Sequence, residues 1–408
     1  MKIDDKTSHN SPSLRFPEFT GEWEKCKLGT LATKVGSGST PKGGDAVYTS
    51  IGHYFVRSQN VGMGFLMLDN IAHINDDIHQ KHKATEIYEN DVLLNITGAS
   101  IGRTAVATKE LEGGNVNQHV CIIRTNSKVN PKFLCDYIQT QRIQNHIKSL
   151  QTGGSREGLN FEQIRSFPIS LPSINEQNKL TCLLDKINER IATQVRLIDR
   201  LQPLIKGIMV KLQQQGLSKG TWKRVPLSSI LKERTELNEG LLPVYSVSVS
   251  QGVVNQMEYL GRSFAAKDTS KYHVAHFGDL IYTKSPTGSF PYGIVKQNSN
   301  RYKVAVSPLY GVYTPANYFT GVFLQEYFKS EVNTFNYLHS LIQKGAKNTI
   351  NITNQRFLDN YILIPTDSND LQQISNLLLR LNAKKDLMQN MLQQYQEQKQ
   401  YLLRQMFI

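Results

Sequence analysis

Cysteine is scarce in this 408-residue chain: Cys26, Cys121, Cys135 and Cys182 are its four, and no two stand within ten positions of each other. That spacing excludes a disulfide framework and a C-x-x-C metal pair, and it fits a reducing compartment. Long apolar runs are missing too. Nothing approaches the roughly 18 consecutive apolar residues of a spanning helix, and the polar start, Met1 to Pro12, lacks the apolar core of a secretory signal. A soluble, cytoplasmic chain with no membrane partner is expected. Acidic residues fall short of basic ones, 34 against 47, which leaves a net charge of +13 and a pI near 9.4. Such a surface attracts a polyanion. At roughly 100 to 200 residues per domain, the length predicts two to four domains.

Catalytic signatures are absent as well. The glycine-rich stretch at Gly38 to Gly44 lacks the G-x-x-x-x-G-K of a phosphate-binding loop. Ser307-Pro308-Leu309-Tyr310 lacks the second proline of an amino-methyltransferase motif and has no cofactor-binding turn to accompany it, so it reads as structural. His79 with His82, and His273 with His276, have spacings a metal could use. With neither Cys partners nor a Glu motif nearby, they read as surface or core histidines and no metal is expected.

What the chain does contain is an internal repeat. Its two tryptophans, Trp23 and Trp222, each open a half, followed at the same interval by Leu28 and Leu227. Asn90-Asp91-Val92-Leu93-Leu94 matches Gly278-Asp279-Leu280-Ile281-Tyr282, and Phe133-Leu134 with Tyr137 matches Phe323-Leu324 with Tyr327. Pro172 pairs with Pro365, and Leu180, Leu183, Leu184 and Ile187 pair with Ile374, Leu377, Leu378 and Leu381. The plan is globular unit, helix, globular unit, helix.

The helices show a heptad pattern. One row of the first holds Leu180, Ile187, Gln194, Leu201 and Ile208, the other Leu184, Ile191, Ile198, Ile205 and Leu212, and only Gln194 is polar. Sustained over more than four heptads, this predicts a coiled-coil seam, with Asn175-Glu176-Gln177 offering capping chemistry at its start. The stretch from Glu176 to Gln213 would be about 57 Å long. The second helix puts Ile374, Leu381, Met388, Tyr395 and Leu402 in one row but Lys385 and Lys399 in the other, a looser seam. Each helix has the other as its natural partner. Pro203 costs a helix interior about 3 kcal/mol and predicts a kink or short break.

The globular units read as mixed α/β or mostly β, with short β-branched runs between Gly, Asn and Pro clusters. Lys plus Arg against Asp plus Glu is 19 to 17 over residues 1–172, 7 to 4 over 173–217, 16 to 9 over 218–366 and 5 to 4 over 367–408. The second globular unit therefore carries most of the charge, and without a basic run of five or more it is mounted on folded surface. Loop-like stretches in the first unit hold the groups a nucleic-acid reader uses: Gly36 to Gly44 with Lys42, then Arg57, Gln59 and Asn60, then Thr97, Ser100 and Arg103, then Asn117 and Gln118, and Arg156 near the helix. Arg matches guanine and Asn or Gln matches adenine by paired hydrogen bonds, while Ser, Thr, Lys and glycine-rich backbone hold phosphates. Any one such loop is more often a simple turn; their gathering in one repeat unit favours recognition. Counterparts in the second unit are Lys284, Ser285, Thr287 and Tyr292, then Lys303 with Ser307, then Lys344 and Lys347.

With these residues in place, the chain resembles the specificity subunit of type I restriction-modification enzymes. The resemblance rests on Leu14-Arg15-Phe16-Pro17-Glu18-Phe19 with Gly21-Glu22-Trp23, Ser39-Thr40-Pro41, Thr97-Gly98 to Gly102-Arg103, Asn117-Gln118, and Leu171-Pro172 followed by Glu176-Gln177. It covers nearly the whole chain. It implies an α/β (α+β) fold with two similar target-recognition domains, residues 20–172 and 218–366, separated by two long antiparallel helices, residues 173–217 and 367–408, after an N-terminal extension, residues 1–19. Each domain would read one half of a bipartite site in double-stranded DNA. The resemblance further implies no catalytic centre and no cofactor in this chain. Two modification subunits would methylate adenine with S-adenosylmethionine, and two restriction subunits would use ATP and Mg. The chain departs from the pattern at Pro203 and at Asp367 to Asp370, where the second helix starts without a Glu-Gln pair. A non-catalytic coiled-coil scaffold that binds protein is the rival class, and steep salt dependence of binding would separate DNA reader from scaffold. A stand-alone DNA methyltransferase needs a cofactor motif that the sequence lacks.

Overall fold

The computed structural model describes residues 10–151, 158–240, 242–262, 265–344 and 350–408. The first half runs β1 (Glu24–Lys27), α1 (Leu28–Leu31), β2 (Ala32–Ser37), β3 (His53–Val56), β4 (Ala72–Ile74), α2 (Asp76–Lys81), β5 (Val92–Asn95), β6 (Thr104–Val106), β7 (Asn115–Val116), β8 (Val120–Thr125), α3 (Pro131–Gln139), α4 (Gln141–Gln151), α5 (Phe161–Arg165), β9 (Pro168–Leu171) and α6 (Ile174–Ser218). The second runs β10 (Trp222–Pro226), β11 (Leu231–Glu233), β12 (Tyr245–Ser248), β13 (Gly252–Asn255), α7 (Gln256–Leu260), β14 (His273–Ala275), β15 (Leu280–Tyr282), β16 (Val295–Gln297), β17 (Val304–Val306), β18 (Gly311–Pro315), α8 (Tyr318–Phe328), α9 (Glu331–His339), β19 (Gln343–Lys344), β20 (Ile350–Asn351), α10 (Asn354–Asp359), β21 (Tyr361–Pro365) and α11 (Ser368–Gln405). Two compact units result: residues up to 194 together with 391–408, and residues 195–390. Each joins one globular part to a portion of both long helices.

In the first unit an antiparallel sheet has the order β2-β8-β5-β6. Its strands alternate with a period of two, because successive side chains leave opposite faces. Val92, Leu94, Cys121 and Ile123 pack with Phe133, Leu134, Tyr137 and Ile138 of α3, while Leu93, Ala105, Val120 and Ile122 pack with Val56, Val61 and Ile87. Asn130 caps α3 by accepting from the Lys132 N–H, and Pro131 occupies the first helical turn, where its missing N–H costs nothing.

The second unit has the order β11-β18-β15-β16, the same sheet built from the repeat partners of the first. Leu280, Tyr282, Val295 and Tyr313 share a core with α8, while Ile281 and Val312 pack with Val304 and Val306 of β17. Strand β10 pairs with β21 as β1 pairs with β9. Asp91 and Asp279 do one job: each is 1–2 % exposed, accepts from the backbone N–H three residues earlier at 2.8 Å, and holds an arginine by two hydrogen bonds. The arginine comes from β8 in one unit (Arg124) and from just beyond β11 in the other (Arg234). The residue before each aspartate has a positive φ, 70° at Asn90 and 89° at Gly278, where glycine or asparagine is least strained.

The heptad rows find their partners within each unit. In the first, Leu180, Leu184 and Ile187 share a core with Leu402, Leu403, Met406 and Phe407; in the second, Leu201, Ile205 and Met209 share one with Leu371 and Leu378. In the first unit the helices run antiparallel: Trp23 lies between Glu176 and Phe407, and Arg190 stands 6.0 Å over the Tyr395 ring. Gln194 is buried, and Lys399 is buried with its ammonium on Gln139 Oε1 at 2.9 Å, so this seam lysine serves the globular part.

Two expectations change. Of the kink or short break expected at Pro203, no break forms, because helix α6 runs unbroken through the proline; Leu201, Ile205 and Met209 on either side of it are anchored in the second core. Glu176 and Gln177 do not cap α6. Ser173 Oγ accepts from the Glu176 N–H at 3.4 Å, while buried Glu176 takes two 2.7 Å bonds from Arg15 and one of 3.2 Å from the Trp23 indole. Gln177 accepts from the Asn130 N–H and donates to the Lys128 and Pro172 carbonyls. The pair locks the globular part onto the helix. At the start of α11, Asp367 Oδ1 takes the Asn369 N–H at 3.0 Å, which replaces that arrangement.

Candidate nucleic-acid interface

Four of the predicted first-unit loops meet in space. The Gly38 N–H donates to the Asn117 carbonyl at 3.2 Å, and the Asn117 N–H donates to the Val56 carbonyl at 3.0 Å, which brings the loop after β2 and the turn after β7 to the end of β3. A Cβ at Gly38 would stand 1.7 Å from the Val116 carbonyl oxygen, so only glycine permits this approach. The Thr97 hydroxyl lies 2.5 Å from His119 Nδ1, and Thr40 donates to Gln118 Oε1. Asn95, fully buried at the end of β5, donates to the Ser58 carbonyl at 2.8 Å and so fixes the turn at Arg57 to Asn60.

Within this cluster the predicted residues divide by exposure. Lys42, Gln59, Arg103 and Gln118 are exposed, and Thr97 and Ser100 are partly so. Arg57 is half-buried with its guanidinium 5.2 Å over the Tyr48 ring; its buried Nε has no partner among the described residues. Two residues are committed to the loops themselves. Asn60 accepts from the Arg57 N–H at 3.0 Å and donates to the Met67 carbonyl at 2.9 Å, and Asn117 Oδ1 accepts from the His119 N–H at 3.0 Å. At 3 % and 5 % exposure, they shape turns and are not placed to reach a base. Arg156 lies outside the described residues.

The second-unit residues separate into two places. Lys284, Ser285, Thr287 and Tyr292 belong to the β15–β16 loop, the counterpart of Thr97 to Arg103. This loop closes on itself through paired Thr287 and Phe290 backbone bonds of 3.0 Å, and it leans on α9 through Tyr292 against Phe335 and Ser289 on Glu331 at 2.6 Å. Lys284 adopts φ 61°, an uncommon left-handed conformation for its type, and burial draws its ammonium below the usual lysine range while Glu233 opposes the shift. Lys303 is elsewhere: it donates to Glu236 at 2.9 Å, beside His276 at 2.6 Å and Arg234 at 3.6 Å on the same carboxylate. Hydrogen bonds from Lys303 and His276 hold the Glu236 carboxyl below its ordinary range. Lys344 lies in β19, paired with β20, and Lys347 lies outside the described residues.

Ser307 stands where Asn117 does in the first unit. Its Oγ accepts from the Leu309 N–H at 3.2 Å, the same two-residue turn, so Ser307-Pro308-Leu309-Tyr310 has a structural role. The histidines do likewise: buried His79 meets Asn115 at 2.7 Å and His273 meets the Tyr310 carbonyl at 2.9 Å. No group of three or more metal-ligating side chains occurs among the described residues, and none of their helices is long and apolar enough to cross a membrane.

Comparison with known proteins meets this geometry at the first unit. Residues 20–202 match the family model for the type I restriction modification DNA specificity domain. The second unit repeats that unit's sheet order and turns. The first unit, with the start of α6, is similar in sequence to a type I restriction modification DNA specificity domain. The chain is 24 % identical over 163 residues to the type I restriction enzyme EcoBI specificity subunit of Escherichia coli, a match spanning 38 % of this chain and about a third (34 %) of that protein. The fold is that of the type I restriction-modification S subunit from M. genitalium, with a TM-score of 0.63 at 12 % identity over 98 % of this chain and 99 % of that one. A chain of another type I restriction-modification system aligns with a TM-score of 0.51 at 15 % identity over 95 % and 97 %.

The sequence did not single out Tyr48 or Asn95 as partners of the first unit's loops. Asn95, polar within an apolar strand, was the one legible signal: a buried amide on a strand needs a partner, and the nearest is a loop carbonyl.

Proposed function

We propose that this chain reads a bipartite site in double-stranded DNA, one half with residues 20–172 and the other with 218–366, and that the long helices fix the separation. The observation that carries the reading is one sheet order and one set of turns in both units with different side chains on the loops. Gln118 in the first unit is matched by Pro308 in the second, and Asn117 by Ser307. A constant frame with altered loops is what two readers of different sequences require. Gln59, Gln118 and Arg57 are the first unit's base contacts, with Lys42 and Arg103 on phosphates. Lys284, Ser285, Thr287 and Tyr292 serve the second unit, with Lys303 on phosphate once its bond to Glu236 exchanges. Arg156, Lys344 and Lys347 extend the two contact sets.

In this reading the chain works in the cytoplasm with two modification subunits, which methylate adenine with S-adenosylmethionine, and with two restriction subunits that use ATP and Mg. Its own side chains bind and orient DNA. Selection from a randomised duplex library by the assembly of this chain with its modification subunit tests the reading. Enrichment of two short sequences at fixed spacing is expected, with affinity falling steeply as salt rises. Enrichment of no sequence, with weak salt dependence, favours a protein-binding scaffold.

A further inference from the structure

We propose that the Val249 to Gln251 turn is a recognition element of the second unit, in which Gln251 contacts a base and Lys296 is the positioning residue that holds the turn. The inference rests on the two-reader function above. The turn joins β12 to β13, and Val249, Ser250 and Gln251 are all exposed. Among the described residues the Gln251 amide has no partner, so both its donor and its acceptor are free.

The turn is nonetheless pinned at both ends. Lys296, 8 % exposed on β16, donates to the Val249 carbonyl at 2.7 Å. Ser248 Oγ, also buried, accepts from the Gln251 N–H at 3.4 Å and donates to the Tyr259 hydroxyl at 3.2 Å. Gly252 supplies the φ of 77° that returns the chain into β13. A buried ammonium is costly to keep in a sheet. Lys296 lies opposite Ile281 across β15–β16, and the residue opposite Leu93 in the equivalent pair of the first unit is Ala105. The frame therefore does not need a lysine there; the turn does.

The first unit solves the same problem with another side chain. There buried Asn95 donates to the Ser58 carbonyl, and exposed Gln59 follows. The two turns also share sequence: Ser58-Gln59-Asn60-Val61 and Ser250-Gln251-Gly252-Val253. Their parallel bridges, Phe55 to Asn115 and Val244 to Ala305, give a common origin. From it Gln59 stands four residues on and Gln251 seven, so the second turn is carried farther out along its strand. An exposed Gln on a pinned turn presents the donor–acceptor pair that matches the adenine edge.

The test is randomised-duplex selection with the full chain assembled with its modification subunit. Gln251→Ala is expected to relax one base pair in one half-site by about 5- to 150-fold and to leave the other half intact, while Gln59→Ala relaxes the opposite half. Lys296→Met is expected to relax the same base pair as Gln251→Ala, with no further loss in the double variant, and Lys296→Arg to recover it. Unchanged selection by Gln251→Ala overturns the assignment while two-part enrichment by the parent chain keeps the function standing. Uniform loss across both halves in Lys296→Met would make Lys296 structural only. A parent chain that enriches nothing removes the function itself. If Lys296→Met does not assemble, Gln251→Ala decides alone.

Discussion

Gln59 and Asn60 are neighbours in one turn and are expected to answer mutation differently. Asn60 is buried with its amide bonded at both ends, so Asn60→Ala leaves backbone groups of the turn unpaired and should cost roughly 1–3 kcal/mol in denaturant unfolding. Gln59→Ala should leave stability unchanged and alter base preference. Equal destabilisation by both would contradict the division. Asp136, enclosed on α3, has its carboxyl pushed up to about 7, chiefly by burial, with Lys399 opposing the shift. In the unfolded chain it titrates near the ordinary aspartate value. Between those two values the folded state keeps a proton that the unfolded state has lost, so this group's contribution falls as pH rises from about 4 through 7. Asp136→Asn should therefore raise the thermal midpoint at pH 8 and change it little at pH 4; equal shifts at both would rule out the titration.

At the scale of the element, Pro203 and the seam lysines carry the clearest consequences. An unbroken α6 means that the proline's cost is borne inside a helix, so Pro203→Ala should stabilise the second unit by up to about 3 kcal/mol in chemical denaturation. No gain would show that the local backbone had already relaxed. The heptad rows of both helices were legible because 3.5-residue periodicity depends on local sequence alone. What Lys399 does was not legible, since its partner Gln139 lies 260 residues away and belongs to another element. The Glu176-Gln177 pair misled for the same reason. Its position at a helix start reads as a cap, yet Arg15, Trp23 and Asn130 recruit it from the globular part.

At the scale of the molecule, the repeat made most of the architecture readable: matching Trp23 with Trp222 and Asp91 with Asp279 anticipates two copies of one sheet. The polar loops of the first unit, proposed as its DNA contacts, were readable as a set and not as individuals. Composition marks Asn60 and Asn117 as well as Gln59 and Gln118, and only packing separates buried turn-formers from exposed groups. The basic excess, +7 of +13 on residues 218–366, predicts binding that weakens as salt rises, with a log–log slope reduced by about 1 for each phosphate-contacting lysine removed. Lys42→Ala should weaken all sequences alike in a salt titration, whereas a change confined to one sequence would move Lys42 among the base contacts. The most direct measurement is methylation-sensitive sequencing of DNA from cells making this chain with its modification subunit, set against cells making that subunit alone. One bipartite motif with methyladenine in both halves, present only with this chain, is the expected result. No new motif, with the two proteins shown to be associated, would contradict the assignment of two DNA readers.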